Sequence, residues 1–178
     1  MNDSFILPAG TLVIEPMLVR DWEQVRAIYL EGIATGAATF ETEAPAWEKW
    51  DTGHLAVPRL VARNKAGQDG RVLGWAALSK VSGRCVYAGV ADESIYVAAA
   101  ARGLGVGRTL LARLCEEADR AGLWTLQAGI FPENLASLRV HEACGFRVVG
   151  RREKIGKMGT KWRDVMFLER RSRVAGAD

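Results

Sequence analysis

At 178 residues the chain is long enough for one well-cored domain and short for two. Hydrophobic residues make up 49% and charged residues 25%, the balance of an ordinary globular protein. The net charge of +3 is slight and no basic stripe is interleaved with aromatics, so no nucleic acid partner is expected; no apolar run reaches the roughly 18 residues of a membrane span, so no membrane association is expected either.

Thr11 to Met17 alternates as a first strand. Asp21 and Gln24 form a D-x-x-Q capping-box pattern, and a helix follows to about Gly32 with Val25, Ile28 and Tyr29 on one face. Gly36 to Pro45 reads as a loop, Trp47 to His54 as a short helix and Arg59 to Ala62 as a strand. Lys65 to Gly70 carries hairpin-turn residues, and Val72 to Leu78 pairs back antiparallel. Val86 to Val97 is the next strand. Gly105 to Ala121 is the strongest helix, with Val106, Leu110, Leu111, Leu114 and Ala118 at helical spacing and Gly122 as its stop. Leu123 to Ile130 is a buried strand. Asn134 to Cys144 is a helix capped by Asn134 and stopped by Gly145, and Phe146 to Glu153 pairs with Asp164 to Leu168. The order β-α-α-β-β-β-α-β-α-β-β predicts one α/β domain over residues 1–170, a mixed, mostly antiparallel sheet with helices on both faces. A short polar tail over 171–178 is expected to fray.

Cys85, Cys115 and Cys144 form no C-x-x-C pair, and the two histidines, His54 and His141, lie far apart. Neither a disulfide framework nor a zinc or other metal site is expected. Free cysteines, with no secretion signal at the N-terminus, point to the cytoplasm.

Arg102-Gly-Leu-Gly-Val-Gly-Arg-Thr109 joins a strand to the strongest helix. Glycines there allow tight turns that aim several N–H groups one way, and the helix adds its positive dipole end, an arrangement that grips a pyrophosphate. Three motif patterns compete. The dinucleotide fingerprint G-x-G-x-x-G fails because Arg108 stands where the third glycine is needed. The P-loop pattern fails at Arg102 and Arg108. The pattern [RQ]-x-x-G-x-[GA] fits Arg102, Gly105 and Gly107 without substitution. It resembles the acyl-CoA-binding loop of the GNAT N-acetyltransferase family. The segment from Asn134 to Phe146 is similar to that family's N-x-x-[AS]-x-x-x-[YH]-E-x-x-G-[FY] signature. Within the family, Thr39-Phe-Glu-Thr42, the strand around Tyr87 and Ser94-Ile-Tyr-Val97, and Lys161-Trp-Arg-Asp-Val165 resemble the phosphinothricin and methionine sulfone acetyltransferase branch. Ser82 stands where the branch often has the first arginine of an R-x-R pair, and Asp92 where it commonly has glutamate.

An amine attacks a thioester only when neutral, so it needs a base nearby, and a carboxylate at the end of the central strand could take the proton, directly or through a water. Asp92 is the first candidate and Glu93 the second; strand alternation sends them to opposite faces. The resemblance implies direct transfer from acetyl-CoA to the α-amine of a small amino-acid analogue such as phosphinothricin or methionine sulfoximine or sulfone. It implies coenzyme A contacts from Ile95, Tyr96 and Val97, from the loop Arg102, Gly103, Leu104, Gly105, Val106, Gly107 and Arg108, and from Asn134 and Ser137. It further implies that a backbone N–H near Tyr96 or Val97 stabilises charge on the thioester oxygen, and that His141 protonates the departing thiolate. Phe40, Glu41, Trp75, Arg84 and Tyr87 are the candidate acceptor contacts, Arg84 because a guanidinium fork fits a carboxylate. A small-molecule amine and a second copy of the chain, as a homodimer, are the partners implied. Another acceptor amine (a polyamine, an aminoglycoside or a protein N-terminus) and a non-catalytic acyl-CoA-binding module are the alternative readings.

Overall fold

Strands β1 (Leu12–Pro16), β2 (Arg59–Asn64), β3 (Val72–Lys80), β4 (Val90–Val97), β5 (Thr125–Ile130), β6 (Arg147–Met158) and β7 (Lys161–Arg171) form one sheet in the order β1-β2-β3-β4-β5-β7-β6. The structure is a computed structural model and describes residues 12–65 and 70–176. All neighbours are antiparallel except β4 and β5. These two run parallel and pair only at Val90↔Thr125, Ala91↔Leu126 and Asp92↔Gln127. Beyond that point β4 stays with β3 as far as Val97, while β5 stays with β7. The sheet therefore splits, and the β5-facing edge of residues 93–97 is left open to a cleft.

Helices α1 (Trp22–Ala34) and α2 (Trp47–Gly53) cover one face, and α3 (Val106–Arg120) and α4 (Leu135–Ala143) the other. Strand alternation decides which side chains meet which layer. Tyr96 and Trp75 stack at 4.8 Å and meet Tyr29 of α1; Trp75 also meets Trp50 of α2 edge-on. On the opposite face Gly74 lies under Val106 and Leu110 of α3, and Glu93 reaches α4. The core forms between these layers, with Val106, Leu110, Leu111, Leu114 and Ala118 all buried, as the helical spacing predicts.

The element order is the one read from the sequence, with local differences. Strand β4 starts at Val90, and Cys85–Tyr87 is instead a 3-10 turn. The break sits at Gly89, where a Cβ would overlap the Trp124 ring and whose carbonyl accepts from both Trp124 N and Thr125 N. The Asp21/Gln24 capping box does not form, because both side chains have other partners. Asp21 accepts from Leu18 N at 2.9 Å and pairs with Arg63 at 2.5 Å, and Gln24 accepts from Val72 N at 2.9 Å. The final hairpin is longer at both strands than read from the sequence. After Arg170 the chain makes contacts as far as Gly176: Ser172 is buried, its N–H donates to the Trp124 carbonyl, and Arg171 bridges Trp124 and Gly176. Thr11 and the turn residues 66–69 lie outside the described residues.

Candidate active site

The loop between β4 and α3 opens on a cavity of about 690 Å³. Gly103 and Gly105 have φ of +78° and +80°, values that L side chains rarely adopt, and Gly105 is the N-cap of α3. A Cβ at Gly107 would come to 3.4 Å from the Val97 side chain. This turn leaves the first N–H groups of α3 without helical partners at the cavity floor. Arg102 is tethered to the Val97 carbonyl (3.3 Å), and Ala99 N donates to Glu31 of α1 at 2.6 Å, which anchors the loop from the far side. Ile95, Tyr96, Val97, Arg102, Gly103, Gly105, Val106, Gly107, Arg108, Asn134, Ser137 and His141 all line this cavity; Leu104 does not and points to solvent.

Across the cleft, Asn134 caps α4 by accepting from Ser137 N at 3.1 Å, and its amide donates to the Ala37 carbonyl at 3.2 Å. One residue thus starts the helix and ties it to the α1–α2 loop. His141 follows one turn after Ser137. Its Nδ1 lies 2.8 Å from the Ser137 carbonyl, which can only accept, so Nδ1 carries a proton. Its Nε2 lies 2.6 Å from Oε1 of Glu93, and the two side chains are only 1% and 4% exposed. A shared proton between imidazole and carboxylate satisfies this geometry. Burial alone drives the His141 pKa down, but the Glu93 carboxylate and the Ser137 carbonyl more than offset it, and the net shift is upward. The other Glu93 oxygen is buried without a partner.

A second cavity of about 290 Å³ adjoins the first through Ala37, Ala38, Ile95, Tyr96, Asn134, Ser137 and His141. Phe40, Glu41, Glu93 and Ser94 line it. Phe40 is wedged between Phe131, edge-on at 4.9 Å, and Gly156 of β6, where any Cβ would strike its ring. Arg163 of β7 holds the same loop: it donates to the Gly36 carbonyl (3.3 Å), pairs with Glu133 and lies 4.2 Å from the Phe131 ring.

Asp92 points to the other face of β4, where Gln127 donates to its Oδ1 at 2.7 Å. Burial raises its pKa, against the Gln127 hydrogen bond and the Arg152 charge. It lines neither of these two cavities. Trp75 is buried under Tyr96, on the wall of a smaller neighbouring cavity. Arg84 and Tyr87 stand together on the exposed turn after β3, the guanidinium 5.5 Å from the ring, and line none of these cavities.

Residues 19–146 match the acetyltransferase (GNAT) family. The chain belongs to that family. It is 33% identical over 159 residues to a phosphinothricin N-acetyltransferase of Alcaligenes faecalis, covering 84% of this chain and 77% of that one. It is 31% identical over 159 residues to an L-methionine sulfoximine/L-methionine sulfone acetyltransferase of Pseudomonas aeruginosa, covering 85% and 89%. A GNAT superfamily phosphinothricin acetyltransferase from Sinorhizobium meliloti, solved in complex with AcCoA, superposes with a TM-score of 0.79 at 27% identity, covering 90% of this chain and 88% of that one. The protein is an acetyl-CoA-dependent N-acetyltransferase.

The donor set suits that cofactor. The open glycine turn offers backbone N–H groups and a helix N-terminus to a diphosphate, and the open edge of β4 offers extended backbone to an amide-rich arm. Sequence reasoning missed the opposite wall of this GNAT site. Thr35, Ala37, Ala38, Leu135, Ala136 and Val140 line the large cavity through small or apolar groups with no chemical signature of their own. The Ala37-Ala38 pair before Thr39 was the available signal, since a side-chain-poor stretch in a loop permits close approach by a ligand.

Proposed function

We propose that the acetyltransferase acts on the α-amine of a small amino-acid analogue such as phosphinothricin or methionine sulfone, by direct attack of that amine on the thioester. The supporting observation is the split between β4 and β5, which joins a cofactor-sized cavity over the α3 N-terminus to a smaller one walled by Phe40, Glu41, Glu93 and Ser94. Acetyl-CoA supplies the activated acyl group. The amine nitrogen forms a bond to the acyl carbon, the carbon–sulfur bond breaks, and one proton moves from nitrogen toward sulfur.

Asp92, which lines neither cavity, takes the amine proton through a water. Its raised pKa makes it a stronger base than an ordinary carboxylate, and it stands on the same strand face as Ser94. His141, held against Glu93, returns a proton to the thiolate. The backbone N–H of Val97 steadies the thioester oxygen, because alternation turns it to the open edge of β4 while the Tyr96 N–H, like that of Ala98, faces β3. The Gly103–Gly107 amides with Arg102 and Arg108 hold the diphosphate, and Asn134 and Ser137 border the pantetheine arm. The enzyme works in the cytoplasm as a homodimer, a state that would cover Val148, Val149, Ile155 and Trp162, exposed on the edge hairpin.

Free-thiol release over a panel of amines tests the acceptor. Amino-acid analogues should release thiol with matching N-acetyl product by mass spectrometry. Release confined to polyamines, aminoglycosides or peptides would overturn the acceptor assignment.

A further inference from the structure

On the α1–α2 face, a third cavity of about 220 Å³ opens beside the acceptor site and shares Glu41, Ser94 and Tyr96 with it. Its walls are rings: Tyr29, Trp50, Trp75, Tyr96 and His54, with Trp50 2% and Trp75 1% exposed. His54 stacks on Trp50 at 4.2 Å, and burial holds its pKa below the ordinary value, so it is neutral at pH 7. The charged groups lining the cavity are Glu41, Glu43 and Lys49, two carboxylates against one ammonium, all on exposed residues. Neither the Trp50 nor the Trp75 indole N–H has a hydrogen-bond partner. Two buried donors without partners favour an occupant that brings acceptor oxygens, while the carboxylate excess disfavours one that brings negative charge.

We infer that this aromatic cavity receives the side chain of the acceptor amino acid and selects side chains that are uncharged, such as a sulfone, over anionic ones of the same shape. The inference rests on the acceptor class proposed above and narrows it. Methionine sulfone and phosphinothricin end in a methyl-capped SO₂ and a methyl-capped PO₂⁻ on the same carbon skeleton, so they differ here in little but one charge. Ring faces suit the methyl end of either, and only the phosphinate meets Glu41 and Glu43 as a like charge.

The test compares kcat/KM for L-methionine sulfone and L-phosphinothricin, together with calorimetric binding of each amino acid to the protein loaded with coenzyme A. The wild-type chain should favour the sulfone by about tenfold or more. The Glu41→Gln/Glu43→Gln variant should bring the two within about threefold, and Lys49→Met should widen the gap. All three positions are exposed, so melting temperatures should stay near wild type. Acetylation of both compounds with no preference, or a preference that the Glu41/Glu43 variant leaves unmoved, overturns the subsite and leaves the proposed function standing. If neither compound binds or is acetylated while acetyl-CoA binds, the acceptor class itself falls and the subsite with it.

Discussion

Nε2 of His141 and Oε1 of Glu93 lie 2.6 Å apart, 48 residues apart in sequence, and the contact joins α4 to the open end of β4. Both ring nitrogens of His141 face acceptors, so the ring is held between the Ser137 carbonyl and Glu93. This fixes the walls of the cleft at the point where the cavities of about 690 and 290 Å³ meet.

The first consequence is a pH dependence of stability. An unfolded histidine titrates near 6.5, and the folded value here is higher. The pair therefore contributes its full stabilisation below about pH 6.5 and loses it as pH rises through the folded value. The melting-temperature difference between wild type and His141→Gln should be larger at pH 6 than at pH 9. A constant difference would mean that the pair carries no linked proton.

Breaking the pair from one side should be costly. His141→Ala strands a carboxylate that is 4% exposed, and such losses run to about 3–5 kcal/mol. Denaturant unfolding should show the double variant His141→Ala/Glu93→Leu recovering part of that loss. A double variant no better than the single would place the penalty in packing rather than in the stranded charge.

Asp92 and Glu93 should behave differently. Because burial raises the Asp92 pKa, its ionisation opposes folding once pH exceeds the unfolded value near 3.9. Asp92→Asn should therefore leave the melting temperature at pH 7 unchanged or higher, while lowering kcat by about a hundredfold or more. Thiol release that persists at the wild-type rate would remove Asp92 as the base.

The α1–α2 loop should depend on Arg163, which joins Gly36, Glu133 and Phe131. Arg163→Ala should lower kcat/KM for the acceptor by roughly tenfold to a hundredfold through misplacement of Phe40 and Glu41. Hydrogen exchange over residues 35–41 should speed up in the same variant. Unchanged exchange and unchanged kcat/KM would make the clamp ornamental.

Much of this was legible in the chain. The hydrophobic spacing of α3, the caps at Asn134 and Gly122, and the glycine turn at 103–107 are local devices whose signals lie within a few residues. The glycine loop could be recognised from its residue types because positive φ at Gly103 and Gly105 restricts the choice of residue. What the sequence did not disclose is long-range. Asp21 and Gln24 read as a local cap, yet they answer Arg63 and Val72. Arg84 read as an acceptor contact, yet the turn that carries it stays at the surface beside Tyr87. Trp50 of α2 and His54 just after it had no signature of their own; they wall the aromatic cavity because α2 packs over Trp75. Alternation separated Asp92 from Glu93, but only the folded sheet reveals that Asp92 meets Gln127 of β5 and Glu93 meets His141 of α4.

The structure of the protein bound to acetyl-CoA tests the central claim most directly. The account predicts the diphosphate on the backbone N–H groups of residues 103–107, the pantetheine along Ile95–Val97, and the thioester carbonyl within hydrogen-bond distance of the Val97 N–H. A diphosphate bound elsewhere, with those N–H groups unengaged, would contradict it.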